Sequence, residues 1–133
     1  MQASQKLKRL YPRRILTARY EDLAERPLDF SARLLDFVGL HMDSRLRQYV
    51  WKITSSHLNI KEDRWKTARS NSKAAASRWR ENIRFRLSEE VDNKCSDLYN
   101  HLGYLPFADE TTLRNLAVPY YRVLTEVPGL WTA

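Results

Sequence analysis

Apolar positions along this chain change their period several times. Over residues 15–18 the run is nearly unbroken, with Tyr11-Pro12 before it and Glu21-Asp22 after it, which predicts one strand over about 14–20. Pro27 suits the first turn of a helix in which Phe30, Leu34, Phe37 and Val38 recur at helical spacing, and Gly39 supplies the stop. A second helix starts with Asp43 or Ser44 as N-cap. It carries Met42, Leu46, Tyr49, Val50 and Ile53 on one face and ends near Thr54-Ser55-Ser56. Residues 57–71 hold no period and are rich in charge, so they read as a loop. Asn71 or Ser72 can cap a third helix with Ala75, Ala76, Trp79 and Ile83 on one side. The clearest helix follows Ser88, with Glu89 and Glu90 in its first turn, a stripe of Val91, Cys95, Leu98 and Leu102, and Gly103 at its end. Beyond Leu105 the pattern fades; residues 111–116 and 120–127 read as short helices, and Pro128-Gly129 breaks the terminus.

The strand is the odd element. It is as apolar as a strand buried in a parallel sheet, and the pattern offers it no second strand to pair with. A lone strand leaves its backbone polar groups unsatisfied, so its neighbours are expected upstream of Met1, in a larger α/β domain of which this chain is the C-terminal part. The competing reading makes this segment the end of the first helix of an all-α domain.

Composition narrows the partner more than the fold. The 133 residues are 43% hydrophobic, enough for a core and too many for wholesale disorder. A formal charge of +7 favours an anionic partner: nucleic acid, a membrane surface, a sulfated or phosphorylated glycan, or a nucleotide phosphate. Cys95, the one cysteine, excludes an internal disulfide and reads as a small hydrophobe among Val91, Leu98 and Leu102. No run of ~18 apolar residues and no signal peptide is present, so any membrane anchor is expected outside this chain. His41, His57 and His101 are scattered, and no pair has metal-ligand spacing.

Four segments occur in an informative order. Arg19-Tyr20-Glu21-Asp22-Leu23 closes the strand and enters a helix, and Thr54-Ser55-Ser56 follows a helix. Thr67-Ala68-Arg69-Ser70-Asn71-Ser72 leads to Trp79-Arg80, and a last helix closes on His101-Leu102-Gly103-Tyr104. Over roughly residues 8–107 this set resembles the sulfotransferases that use 3′-phosphoadenosine 5′-phosphosulfate (PAPS), and the polar Arg69 loop is closest to their carbohydrate-modifying branch. The resemblance implies an α/β fold: the mainly helical C-terminal part of a P-loop-like domain, with one strand over about 14–20 and four to six helices. Residues 1–107 would belong to that domain, and 108–133 would be a C-terminal extension, weakly structured or in short helices.

The same resemblance implies site residues. Tyr20 would border the adenine; read as a residue alone, it is equally a half-buried aromatic with its hydroxyl on backbone. Thr54 and Ser55 would contact adenine and the 3′-phosphate, where ordinary helix C-terminal capping is the alternative. Arg69, in a polar loop just before a helix N-terminus, offers a bidentate fork beside orphan N–H groups, and Ser70 and Asn71 add neutral hydrogen bonds to the same anion. Adjacent in sequence, Glu21 and Asp22 diverge and suit tethering rather than acid–base work, with Arg19 as an ion-pair partner. Trp79 is expected to pack, and Arg80 is left open.

The glycine-rich 5′-phosphosulfate loop and a catalytic base have no counterpart in this chain, so no catalytic residue is assigned and the isolated chain is expected to be inactive. The implied co-substrate is PAPS with no metal, the partner a glycan or other hydroxyl acceptor, and the location the Golgi lumen or membrane, with a cytoplasmic location left open. Two other readings stand beside this one. A non-enzymatic basic module could bind nucleic acid through Arg78, Arg80, Arg84 and Arg86 beside Trp79 and Phe85, although no continuous stripe forms on the helix and nucleic acid is not expected as the partner. A protein-interaction domain without a ligand needs only the helices.

Overall fold

The computed structural model describes residues 2–12, 14–55 and 71–122. The described residues form helices α1 (Gln2–Leu10), α2 (Tyr20–Glu25), α3 (Pro27–Phe37), α4 (Ser44–Thr54), α5 (Ser72–Ser77), α6 (Trp79–Asn82), α7 (Phe85–Leu102) and α8 (Glu110–Arg114). They divide into two compact units, one spanning Arg19–Ala76 and the other made from the described parts of Met1–Ala18 and Ser77–Ala133.

The expected strand over 14–20 does not form. Residues 15–19 carry no regular structure, and Tyr20 already opens α2. Arg19 keeps strand-like dihedrals of −105° and 137°, so the local preference is expressed. Missing is a neighbour: the described residues hold no ladder, and the isolated bridge between Tyr104 and Tyr121 lies elsewhere in the chain. An extended segment outside any ladder is not a strand, and the described residues are therefore mostly helical.

In the 19–76 unit, α3 packs against both α2 and α4. Pro27 stands at the start of α3, where its missing N–H costs nothing, and Gly39 with a φ of 77° ends that segment as expected. Asp43 caps α4, its Oδ1 accepting from the Leu46 N–H at 2.8 Å. Burial is sparser than the periodicity suggests. Phe30 is the buried residue of α3, and Met42 is buried just before α4, while Leu34, Val38, Leu46 and Tyr49 stay exposed. The stripes expected from spacing are present, but nothing among the described residues covers them.

The expected third helix is two helices, α5 and α6, parted at Arg78. The long helix also starts earlier than its acidic pair suggested. Arg84 is the N-cap of α7 and Ser88 lies buried within its first turn, which puts Glu89 and Glu90 in the second turn, beyond the strongest field of the helix end. Gly103 closes α7 in the left-handed conformation, φ 73°, with its N–H on the Tyr99 carbonyl at 2.7 Å. Gly103→Ala is expected to cost about 1 kcal/mol in a urea denaturation, and an unchanged midpoint would count against this geometry.

α8 matches the short helix expected near 111–116. Asp109 and Thr112 form a capping box, and the hydrogen bonds from Thr112 hold the Asp109 carboxyl below its ordinary value. Of the second short helix expected over 120–127, residues 120–122 are not helical and the rest lies outside the described residues. Among the described residues no helix is long and apolar enough to cross a membrane.

Candidate functional site

The polar cluster that ends the extended segment is anchored from within. Arg19 donates from Nε to Asp22 Oδ2 at 3.0 Å and from Nη2 to Oδ1 at 2.8 Å, a fork-to-carboxylate pair whose side chains are 1% and 4% exposed. Glu21 is buried beside it. The tethering role expected for the acidic pair is therefore met at Asp22, with Arg19 as its partner. Tyr20, the first residue of α2, is 57% exposed, so its ring is presented to solvent rather than packed half-buried.

The end of α2 collects the other described candidates. Ser72, the first residue of α5, donates its hydroxyl to the Ala24 carbonyl at 2.6 Å, and Lys73 pairs with Glu25 at 2.8 Å. Both contacts bridge 48 residues of sequence and bring the start of α5 to the end of α2. Asn71 caps α5 through Oδ1, which accepts from the Ala74 N–H at 2.9 Å and leaves its NH2 group as a donor. Arg69 and Ser70, with the rest of the loop expected over 57–71 up to residue 70, lie outside the described residues.

Next along the chain, Arg26 and Pro27 form one wall of a cleft of about 340 Å³ between the start of α3 and the end of α4. Leu28, Asp29 and Trp51 line it together with Thr54 and Ser55. The structure thus brings two of the expected site residues, Thr54 and Ser55, to the start of α3, and Asn71 stands one residue before the Ser72 contact with Ala24. Arg26 was not singled out from the sequence; an arginine at a helix N-cap position that lacks a capping side chain was the available signal.

The donor chemistry limits what this cleft can hold as it stands. Thr54 Oγ1 donates to the Val50 carbonyl at 2.7 Å, and Ser55 Oγ donates to the Trp51 carbonyl at 2.8 Å. Each hydroxyl has one hydrogen, and each spends it on its own helix, which is the capping alternative. An oxyanion needs donors, so contact with a phosphate requires both rotors to turn, after which the Trp51 carbonyl keeps the Ser55 backbone N–H at 2.9 Å. Each exchange costs about 1 kcal/mol or less when solvent reaches the group. Among the side chains that line the cleft, Arg26 brings the guanidinium, a group made only of donors.

Arg80 proves to be structural. It is 1% exposed, with Nε on the Leu113 carbonyl at 2.8 Å, Nη1 on Val118 at 3.0 Å, and Nη2 on Thr112 and Asn115 at 2.8 and 2.7 Å. Burial lowers its pKa from the ordinary value. This takes Arg80 out of the set offered for nucleic-acid binding, because its guanidinium faces carbonyls. Trp79 packs edge-on against Phe107 and Tyr120, at 6.2 and 5.7 Å between centroids, as expected. No group of three or more metal-ligating side chains occurs among the described residues.

Comparison with known proteins gives this geometry its setting. Carbohydrate sulfotransferase 1 of Rattus norvegicus is 28% identical over 103 residues, 77% of this chain and 25% of that protein. Carbohydrate sulfotransferase 6 of Homo sapiens is 32% identical over 101 residues, 75% of this chain and 26% of its own length. Carbohydrate sulfotransferase 4 of Mus musculus is 27% identical over 118 residues, 89% of this chain and 30% of that protein. This chain spans about a quarter of the length of the first curated relatives it matches. No solved structure matches it. The sequence model of the Sulfotransferase domain matches residues 2–103, a stretch that includes every expected site residue, and the chain belongs to that family.

Proposed function

We propose that this chain is the nucleotide-proximal C-terminal part of a P-loop-like α/β sulfotransferase that sulfates a hydroxyl of a carbohydrate acceptor with PAPS as donor. The observation that carries the proposal is the domain match over residues 2–103 together with relatives named as carbohydrate sulfotransferases. The exposed stripes of α3 and α4 and the strand-like backbone at Arg19 support it, since both are what a surrounding sheet would cover. The likeness to carbohydrate sulfotransferases also favours the Golgi as the place of action.

The donor supplies the sulfuryl group. This chain's residues would bind and orient its adenosine 3′-phosphate end. Arg69 is the bidentate phosphate ligand, Ser70 and the Asn71 amide add neutral donors, Thr54 and Ser55 turn their hydroxyls inward, and Tyr20 offers an exposed ring to the adenine. The buried Arg19–Asp22 pair fixes the start of α2, and the Ser72 and Lys73 contacts bring the Asn71 end of the loop to the other end of α2. The chain on its own is expected to lack turnover, because it offers neither a glycine-rich 5′-phosphosulfate loop nor a catalytic base.

Calorimetry on the full-length protein tests the anion class. Adenosine 3′,5′-bisphosphate is expected to bind at least about tenfold more tightly than adenosine 5′-monophosphate, a difference of ~1.4 kcal/mol. Equal affinities, with salt-sensitive binding to random duplex DNA, would favour the nucleic-acid module instead.

A further inference from the structure

The family match ends at residue 103, and the most heavily satisfied side chain of its unit reaches past that point. Arg80 is the one buried charged residue among the described residues of the unit formed from Met1–Ala18 and Ser77–Ala133, and no carboxylate faces it. Its counter-charges are backbone dipoles: the carbonyls of Thr112, Leu113, Asn115 and Val118 take up four of the five guanidinium hydrogens. Three of these carbonyls belong to the last turn of α8 or the residue after it, the negative end of that helix. The guanidinium plane also lies over Phe107 at 4.7 Å and Tyr120 at 5.3 Å from the ring centroids.

The segment answers in kind. Arg114 donates to the carbonyls of Arg80 and Ile83, and Leu113 beside it is fully buried. Both ends of the segment are tied down near each other: Leu105 N–H donates to the Tyr120 carbonyl at 2.9 Å and Arg122 N–H to the Gly103 carbonyl at 2.7 Å, around the Tyr104–Tyr121 bridge. Phe107 N–H reaches Asp92 on α7 at 3.2 Å.

We infer that residues 105–122 are a strap that opens and closes as one unit, with Arg80 as its clasp. The physical reason is that a guanidinium holding four carbonyls of one short segment cannot release them one by one. Each partial opening leaves donors and acceptors unpaired in a buried setting, so the intermediate states lie above both the closed and the fully detached strap. The strap is too short to hold its conformation unaided, because α8 has five residues and isolated helices of that length do not persist in water. Its order is therefore borrowed from Arg80 and the aromatic pair around it.

Hydrogen exchange on the full-length protein reads this directly. In Arg80→Met the amides of Leu105, Leu113, Asn115, Val118 and Arg122 are expected to exchange about tenfold or more faster, by a common factor, while Ser88 in α7 and Arg47 and Ser55 in the other unit keep their rates. Arg80→Lys keeps the charge and loses the planar fork, so it should accelerate the same five amides by a smaller common factor, and it carries the test if the methionine variant does not fold. Unchanged strap amides, acceleration by unrelated factors, or equal acceleration at Ser88 would overturn the inference.

Discussion

Asp22→Ala is expected to lower stability by about 3 kcal/mol or more, the range for removing one partner of a buried ion pair. Asp22 takes both donors of the Arg19 fork with almost no exposure of either side chain, so water cannot replace it. The loss should appear as a shifted urea midpoint with an unchanged slope, because the surface exposed on unfolding is the same. Asp22→Asn keeps the shape and one acceptor oxygen and should lose less. Asp36→Ala, on the exposed side of α3, serves as the control and should stay within ~0.5 kcal/mol. A loss under ~1 kcal/mol for Asp22→Ala would mean that the pair does not anchor α2.

Arg69→Ala should raise the apparent KM for the nucleotide donor about thirtyfold or more in the full-length enzyme, equivalent to ~2 to 4 kcal/mol of lost binding, with the fold intact. Arg69 stands two residues before Asn71, which caps α5, and Ser72 and Lys73 anchor the start of that helix to α2. Arg69→Lys keeps the charge without the fork and should recover part of the loss. Arg78→Ala, at an exposed turn between α5 and α6, is expected to change the donor KM little. Steady-state kinetics at limiting donor decide the matter. Equal activity of the two alanine variants would leave the 67–72 segment as a capped turn with no ligand.

Much of this protein is legible in its sequence because the signals are local. Pro27 at the start of α3 and the glycines at 39 and 103 stand where the pattern puts them, and of the two candidates offered for each cap the structure uses Asp43 and Asn71. The ordered motifs also carried the family, which the domain match bears out. The acidic pair at 89–90 misled because charge near a helix start is a weak preference, which the earlier start at Phe85 overrode.

What failed was whatever needs a partner distant in sequence. The run over 15–18 specifies an extended backbone, and Arg19 adopts one, but a strand exists only when another segment accepts its hydrogen bonds. Periodicity likewise marked the stripes of α3 and α4 without indicating what would cover them, and Leu46 and Tyr49 remain exposed. Arg80 is the sharpest case. Its neighbours in sequence, Arg78, Arg84 and Arg86, suggest a basic surface, and only the return of residues 112–118 to within 3.0 Å turns it into a buried clasp. A guanidinium can serve water, phosphate or carbonyl oxygen, and the sequence fixes its chemistry while the chain's long-range path decides which of them it meets.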